Sequence, residues 1–296
     1  MKYRIFTEDE ISEIKKKRIA ITGSTGGLGK EICSYLCELG ASLILVDRNE
    51  KLSVEHKISL EERFAGAKVS CIQCDLEDVK SADKVIKQLI DLDIDIFIHN
   101  AGAYKIPRHV CSTGYENIYQ INFATPYYMI KKLLPTLRKN KGRVVAVGSV
   151  AHTYSKINED DIDFVKVEVC SKVYGNAKRY LMFGLFELFK NEKEASLCIA
   201  HPGITFTNIT AHYPPLIFAI IKHPMKVIFM KPKKAALSII KGVAEKCEYL
   251  EWIGPRIFDV WGMPGKKVLH TVSDSEIAKI AEISEIVYDH IDKMEK

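Results

Sequence analysis

From Arg18 onward the chain alternates short apolar, β-rich runs with longer stretches of helical character. The apolar runs are Arg18–Thr22, Ser42–Val46, Lys68–Gln73, Ile94–Ile98, Arg143–Val147 and Ser196–Ala200. Most of them are apolar at consecutive rather than alternate positions, as befits strands covered on both faces. Between them, Leu28–Leu39, Leu52–Phe64, Val79–Leu92, Tyr115–Lys139 and Lys172–Phe189 predict helices. Strand–helix–strand alternation implies right-handed crossovers and a parallel sheet. The fold class is therefore α/β: a doubly wound parallel sheet of about seven strands with helices on both faces.

Two segments depart from this rhythm. Ala211–Lys233 is apolar but is broken by Pro214, Pro215, Pro224 and Pro232, with Lys222, His223 and Lys226 inserted. Ser273–Lys296 reads as an amphipathic helix carrying Ile277, Ile280, Ile283 and Ile286, with Ser273 or Ser275 as its cap. That isoleucine stripe suits core packing or a subunit interface. There is no repeat, low-complexity segment or Pro/Gly linker, so residues 1–296 are expected to form one domain decorated by 211–233 and by the helical extension 273–296.

Composition narrows the function classes. At 47% hydrophobic and 27% charged residues, the chain has ample material for a large core. A net charge of +5 with scattered lysines does not suggest a nucleic-acid partner. Met1–Lys17 lacks the apolar core of a secretory signal, and no charge-free apolar run is long enough to span a bilayer, so a cytoplasmic protein is expected. The eight cysteines include Cys71 and Cys74, but residues three apart on a strand face opposite ways. Reduced, mostly buried thiols are expected. No His/Cys/Asp/Glu cluster has metal-ligand spacing, so no metal is expected.

The first strand runs into Thr22-Gly-Ser-Thr-Gly-Gly-Leu-Gly29 and then a helix. Glycines there let the backbone approach a pyrophosphate, and the helix N-terminus offers N–H donors. That context makes the sheet Rossmann-type and points to a nicotinamide dinucleotide. Asp47 closes the second strand, where a carboxylate accepts from the adenosine ribose and repels a 2′-phosphate. NAD is therefore favoured over NADP, although Arg48 stands next to it and opposes that repulsion.

With further motifs in the same order, the chain resembles the short-chain dehydrogenase/reductase family. Gly23, Gly27 and Gly29 fall in register with its TGxxxGxG pattern, with Thr25 and Leu28 between them. Asp75-Leu76 resembles the adenine-contacting turn after strand three, and Asn100-Ala101-Gly102 its NAG after strand four. Asn122 and Ser149 match its catalytic asparagine and serine, and Tyr174 and Lys178 its YxxxK. Pro202-Gly203 begins its PGxxxT, with Thr205 and Thr207 following. The match runs from about Lys17 to Thr207, and Ser149-Val-Ala-His152 is similar to the retinol-dehydrogenase branch. One departure is the wide spacing between Ser149 and Tyr174, which the commoner family pattern places much closer.

Tyr174 and Lys178, four apart on a helix, share a face. A free tyrosine titrates too high to be a good base at neutral pH, and a neighbouring ammonium is expected to lower it. The resemblance implies that Ser149 binds the substrate oxygen and Tyr174 moves the proton. It also implies that Lys178 binds the nicotinamide ribose and that Asn122 holds a water linking Lys178 to solvent. Tyr127 and Lys131 form a second YxxxK, read as a packed helix face with a snorkelling lysine. Ser155 and Ser171 are alternatives to Ser149, but neither ends a strand. His152 is read as a loop histidine and His201 as a packing or capping residue.

Recognition of substrate is expected from Val150–Cys170 and from 211–233. As an apolar lid the latter suits a lipophilic alcohol or carbonyl compound, such as a steroid, retinoid, bile acid or fatty carbonyl. Its interleaved cations also fit peripheral membrane contact. A homo-oligomer is expected by analogy of fold. Two other readings stay open: a nicotinamide-binding sensor or scaffold without turnover, and an epimerase or dehydratase relative.

Overall fold

The structure, a computed structural model, describes residues 7–204 and 230–295. Thr205, Thr207 and positions 211–229 of the expected lid lie outside the described residues. Eight strands form one sheet: β1 (Arg18–Thr22), β2 (Ser42–Asp47), β3 (Lys68–Gln73), β4 (Ile96–His99), β5 (Arg143–Val147), β6 (Ser196–Ala200), β7 (Glu251–Ile257) and β8 (Trp261–Val268). Their order across the sheet is β3-β2-β1-β4-β5-β6-β7-β8. The chain winds outward from β1 in one direction and from β4 in the other. The switch point between them opens a crevice beyond the carboxyl ends of both strands.

The helices are α1 (Glu8–Lys15), α2 (Gly27–Glu38), α3 (Glu50–Arg63), α4 (Val79–Asp91), α5 (Thr125–Lys139), α6 (Cys170–Phe189), α7 (Pro232–Ala244) and α8 (Asp274–Met294). Side chains alternate across each strand, so one sheet carries two cores. Ala20, Phe97, Val144, Ala146 and Ile199 meet α4, α5, α6 and α8. Ile19, Ile21, Ile98, Val145 and Cys198 meet α1, α2, α3 and α7. Side-chain caps start several helices: Thr7 and Glu10 form a capping box on α1, Asn49 caps α3, Asp78 caps α4 and Ser273 caps α8.

Three features differ from the sequence reading. The sheet has eight strands, because β7 and β8 form a hairpin whose second strand is antiparallel to the rest. Both carry Gly and Pro (Gly254, Pro255, Gly262, Pro264, Gly265), residues that weaken a strand pattern but are tolerated on the edge strand β8 and, in β7, beyond the two residues paired with β6. The long helix expected over Tyr115–Lys139 starts with a short α turn at Asn117–Tyr119, passes through a π-helical turn at Gln120–Ala124, and only then becomes α5. On α8, Ile277, Ile280 and Ile283 are buried and the stripe continues through Val287 and Ile291, whereas Ile286 faces outward. The stripe thus packs inside the chain, against α5 and α6. Among the described residues no helix is long and apolar enough to cross a membrane.

Candidate active site

β1 ends at Thr22, whose hydroxyl accepts from the amides of Asn100 (3.1 Å) and Ala101 (3.0 Å) at the end of β4. Asn100 returns its side-chain amide to the carbonyls of Thr22 (3.0 Å) and Gly23 (2.9 Å). The two central strands are thereby locked at the switch point. Gly23 sits at φ +70°, and Gly29 crosses directly over it: a Cβ on Gly29 would lie 2.1 Å from the Gly23 carbonyl oxygen. A Cβ on Gly23 would lie 2.8 Å from the Ala101 Cα. No side chain caps the first turn of α2, so its N–H groups face the crevice without a protein acceptor from a capping residue.

A cleft of about 730 Å³ begins here. Gly23, Thr25, Gly27, Leu28, Gly29, Asp47, Arg48, Asp75 and Leu76 line one end; Asn100, Ala101 and Gly102 its middle; Ser149, Tyr174, Lys178, Pro202 and Gly203 the other. This volume and the glycine crossing, which any side chain would fill, fit a dinucleotide. Every described residue that the sequence reading placed at the cofactor lines this one cleft.

Asp47 has commitments the sequence did not reveal. One carboxylate oxygen accepts from the hydroxyls of Ser24 (2.5 Å) and Ser53 (3.0 Å), the other from the Thr25 amide and hydroxyl (both 3.2 Å). The residue is buried and braces the glycine turn against α3. Arg48 beside it is exposed. The Asp75 carboxylate accepts from the Glu77 amide at 3.0 Å, which closes its own turn at the rim.

Asn122 is the centre of the π turn. Its Nδ2 donates to the Ile118 carbonyl (2.8 Å), the acceptor that its own backbone N–H takes in an α-helix, and also to Ala103 O (2.9 Å). A side chain competing for the i−4 carbonyl gives a physical reason for the local widening, and such turns gather at functional sites. Its Oδ1 is buried and has no hydrogen-bond donor. That oxygen and the Lys178 Nζ lie within 2.7 and 3.8 Å of one point, the position a Cβ on Gly102 would take. Gly102 is glycine because the polar pair crowds its backbone.

Ser149 follows β5 and caps the 3-10 turn Val150–Thr153, its hydroxyl accepting from Ala151 N at 3.1 Å. That hydroxyl is also within hydrogen-bonding reach of the Tyr174 phenol. Ser155 instead donates to the Lys172 carbonyl. Lys178 is buried on α6 and donates to Val147 O at 3.0 Å; its ammonium stands 5.7 Å from the centre of the Tyr174 ring. Burial pushes Lys178 down to about 8. The expected lowering of Tyr174 is not found. Burial pushes the phenol up to about 12, against a smaller downward pull from Ser149. Desolvation of the phenolate dominates, and Tyr104 and Tyr154 push in the same direction.

The other YxxxK is not at the cleft. Tyr127 is buried and bonds Glu285 at 2.8 Å, and Lys131 also pairs with Glu285. His201, pushed down to about 4 by burial, stacks on Trp252 at 4.9 Å under the end of β6. Tyr104, Ile106 and Tyr154 line the cleft beside Tyr174 and had no motif to mark them; Tyr104 meets Tyr174 edge-on at 5.4 Å.

Among the described residues, Glu77, His109 and Cys111 bring three ligand-type atoms within 4.8 Å of one another. Asn117 Nδ2, which can only donate, points at His109 Nδ1 at 3.1 Å. In the neutral ring this contact places the proton on Nε2, directed at Glu77 3.1 Å away.

The family model for short chain dehydrogenase matches residues 17–159. A chloroplastic short-chain dehydrogenase, TIC 32 A of Brassica napus, is 28% identical over 222 residues, covering 69% of this chain and 69% of that protein. Retinol dehydrogenase 13 of Mus musculus is 25% identical over 280 residues, 90% of this chain and 81% of its own length. A crystal structure of an uncharacterized protein from Mycobacterium Paratuberculosis superposes with a TM-score of 0.74 at 21% identity, covering 93% of this chain and 94% of that one, which shows the same fold. With the ordered motifs converging on one cleft, the chain is similar over residues 17–159 to the short-chain dehydrogenase family, has retinol dehydrogenases among its relatives, and is an NAD(P)-dependent dehydrogenase/reductase.

Proposed function

We propose that the protein interconverts a lipophilic alcohol and its carbonyl compound, with Ser149, Tyr174, Lys178 and Asn122 as the working side chains. The observation that carries this reading is their convergence: Ser149, Tyr174 and Lys178 line one end of a cleft whose other end is built for a dinucleotide, and Asn122 lies buried behind Gly102 of that cleft. The nicotinamide, when bound, supplies or accepts the hydride. In the reducing direction a carbonyl, a hydride and a proton give the alcohol.

Ser149 donates a hydrogen bond to the substrate oxygen. Tyr174, held as the neutral phenol, gives that oxygen its proton. In the oxidising direction Tyr174 must accept the proton, and Lys178 favours the phenolate by its charge. Asn122 Oδ1, a buried acceptor beside Lys178, is suited to hold the water through which the proton reaches solvent. Tyr104, Ile106, Val150 and Tyr154 give the substrate end an aromatic and apolar wall, which supports a lipophilic substrate. NAD is preferred to NADP, because the Asp47 carboxylate at the end of β2 is held by hydroxyls and an amide, with no cation among these partners to offset its repulsion of a 2′-phosphate.

The test is label transfer. The protein is incubated with decanal, all-trans-retinal and phenanthrenequinone and with nicotinamide cofactor deuterated at the transferring carbon. Deuterium on the carbinol carbon of a product, with matching loss of reduced cofactor, is the expected result. Cofactor binding without any product supports a non-turnover sensor, and product without net cofactor oxidation supports an epimerase-type reaction.

A further inference from the structure

Ser149 and Tyr174 stand on different elements, separated by the insertion between the 3-10 turn and α6, so the backbone between them does not set their relative position. A chain of polar side chains does. His152, at the end of the Ser149 turn, is buried, and its Nδ1 meets the Ser149 carbonyl at 2.7 Å. A carbonyl only accepts, so Nδ1 carries the proton and Nε2 accepts from the Thr271 hydroxyl, 2.7 Å away. Burial holds His152 below its ordinary value and keeps the ring in this neutral form.

Arg179, next to Lys178 on α6, donates Nη1 to the His152 carbonyl at 2.8 Å. Its other face forks onto Glu276 of α8, with Nε–Oε1 and Nη2–Oε2 both 2.7 Å. Glu276 also accepts from the Ile157 amide at 3.3 Å, inside the insertion. None of His152, Arg179, Thr271 or Glu276 lines the cleft. A buried arginine in a bidentate pair is stiff, and this pair ties the Ser149 turn and α6 through Arg179 to α8 and the insertion through Glu276.

We infer that Thr271 and Glu276 are positioning residues of the reaction: acting through His152 and Arg179, they fix the Ser149 turn against α6, so that the serine hydroxyl and the Tyr174 phenol address one substrate oxygen. The C-terminal segment is thereby part of the catalytic apparatus although it never touches the substrate. This inference rests on the reading of Ser149 and Tyr174 given above.

The experiment uses the full chain, with phenanthrenequinone and reduced nicotinamide cofactor, and expresses kcat per cofactor-binding site. Thr271→Val is nearly isosteric and removes only the donor to His152. It is expected to lower kcat roughly tenfold, with cofactor Kd changed less than about twofold, because misaiming a reactive group costs rate rather than binding. Thr271→Ser restores the wild-type rate. Glu276→Gln lowers kcat in the same direction. In a Ser149→Ala background, Thr271→Val is expected to add less than about twofold, since no hydroxyl remains to be aimed. Unchanged kcat per site in Thr271→Val, or equal losses in both backgrounds, overturns the inference; a role in stability alone moves the melting temperature and the number of binding sites, not kcat per site. Should Glu276→Gln fail to fold, the Thr271 pair decides alone. Wild-type protein that turns over no carbonyl probe defeats the underlying enzyme reading, and this inference with it.

Discussion

Replacing Lys178 by Met is expected to make the cofactor-free protein more stable at neutral pH while abolishing turnover. The ammonium is buried, and among the described residues its acceptor at hydrogen-bond distance is the Val147 carbonyl at 3.0 Å. Burial depresses its pKa from 10.5 to about 8. At about 1.4 kcal/mol for each tenfold change, holding the charge there costs about 3 kcal/mol at pH 7. Met fills nearly the same volume without the charge but leaves Val147 O unpaired, a loss of about 1–3 kcal/mol. The balance favours the variant by about 1 kcal/mol, a few degrees in Tm.

The pH dependence separates the two contributions. Below pH 8 both folded and unfolded wild type hold the proton, and the penalty is complete. Between about 8 and 10.5 the unfolded chain binds a proton that the folded chain does not, so wild-type stability rises with pH. The gap between variant and wild type should therefore close by about 3 kcal/mol over that window and end in favour of wild type. Urea unfolding of both proteins at a series of pH values measures it. A gap that does not change with pH refutes the reasoning, because it means that Lys178 titrates normally in the folded protein.

Other outcomes follow from the same geometry. Gly29→Ala drives a methyl group to 2.1 Å from the Gly23 carbonyl oxygen and should abolish cofactor binding, whereas Gly26→Ala, whose Cβ meets nothing nearer than 3.6 Å, should leave it within a few-fold; titration of cofactor fluorescence compares them. Asp47→Ala releases Ser24, Thr25 and Ser53 together and should lower stability by about 1–3 kcal/mol while weakening NAD more than NADP; equal weakening refutes the preference argued for this carboxylate. Tyr127→Phe removes one hydrogen bond to Glu285, far from the cleft lining, and should keep kcat within about twofold; loss of turnover moves the active pair to Tyr127 and Lys131.

The parts of this structure legible in the sequence are those fixed by local chemistry. Strands covered on both faces announce themselves as apolar runs, so β1 to β6 lie where those runs lie, with Ile94 and Asp95 preceding β4 rather than within it. The β7–β8 hairpin is not legible, because its Gly and Pro residues are acceptable only on the edge strand or beyond the short β6–β7 pairing, and both are properties of the assembled sheet. Motif spacing found the residues of the cleft but not their electrostatics. Four residues of separation places Lys178 beside Tyr174, yet the burial that raises one pKa and lowers the other comes from the packing of β5, α6 and the 3-10 turn. Asp47 was legible as a strand-end carboxylate; its bonds to Ser24 and Ser53 join three elements and had no local signal. The π turn at Asn122 depends on a side chain outcompeting a backbone N–H, a contest that helical periodicity does not report.

The central claim, that the Tyr174 phenol carries the proton at the carbon where hydride is exchanged, is tested most directly by Tyr174→Phe. The substitution removes one oxygen and leaves the ring packed against Tyr104. Cofactor Kd within about threefold of wild type, together with kcat reduced by at least about a hundredfold, is the expected result, since general acid–base catalysis contributes about 10²–10⁴. Turnover by the phenylalanine variant at the wild-type rate contradicts the account.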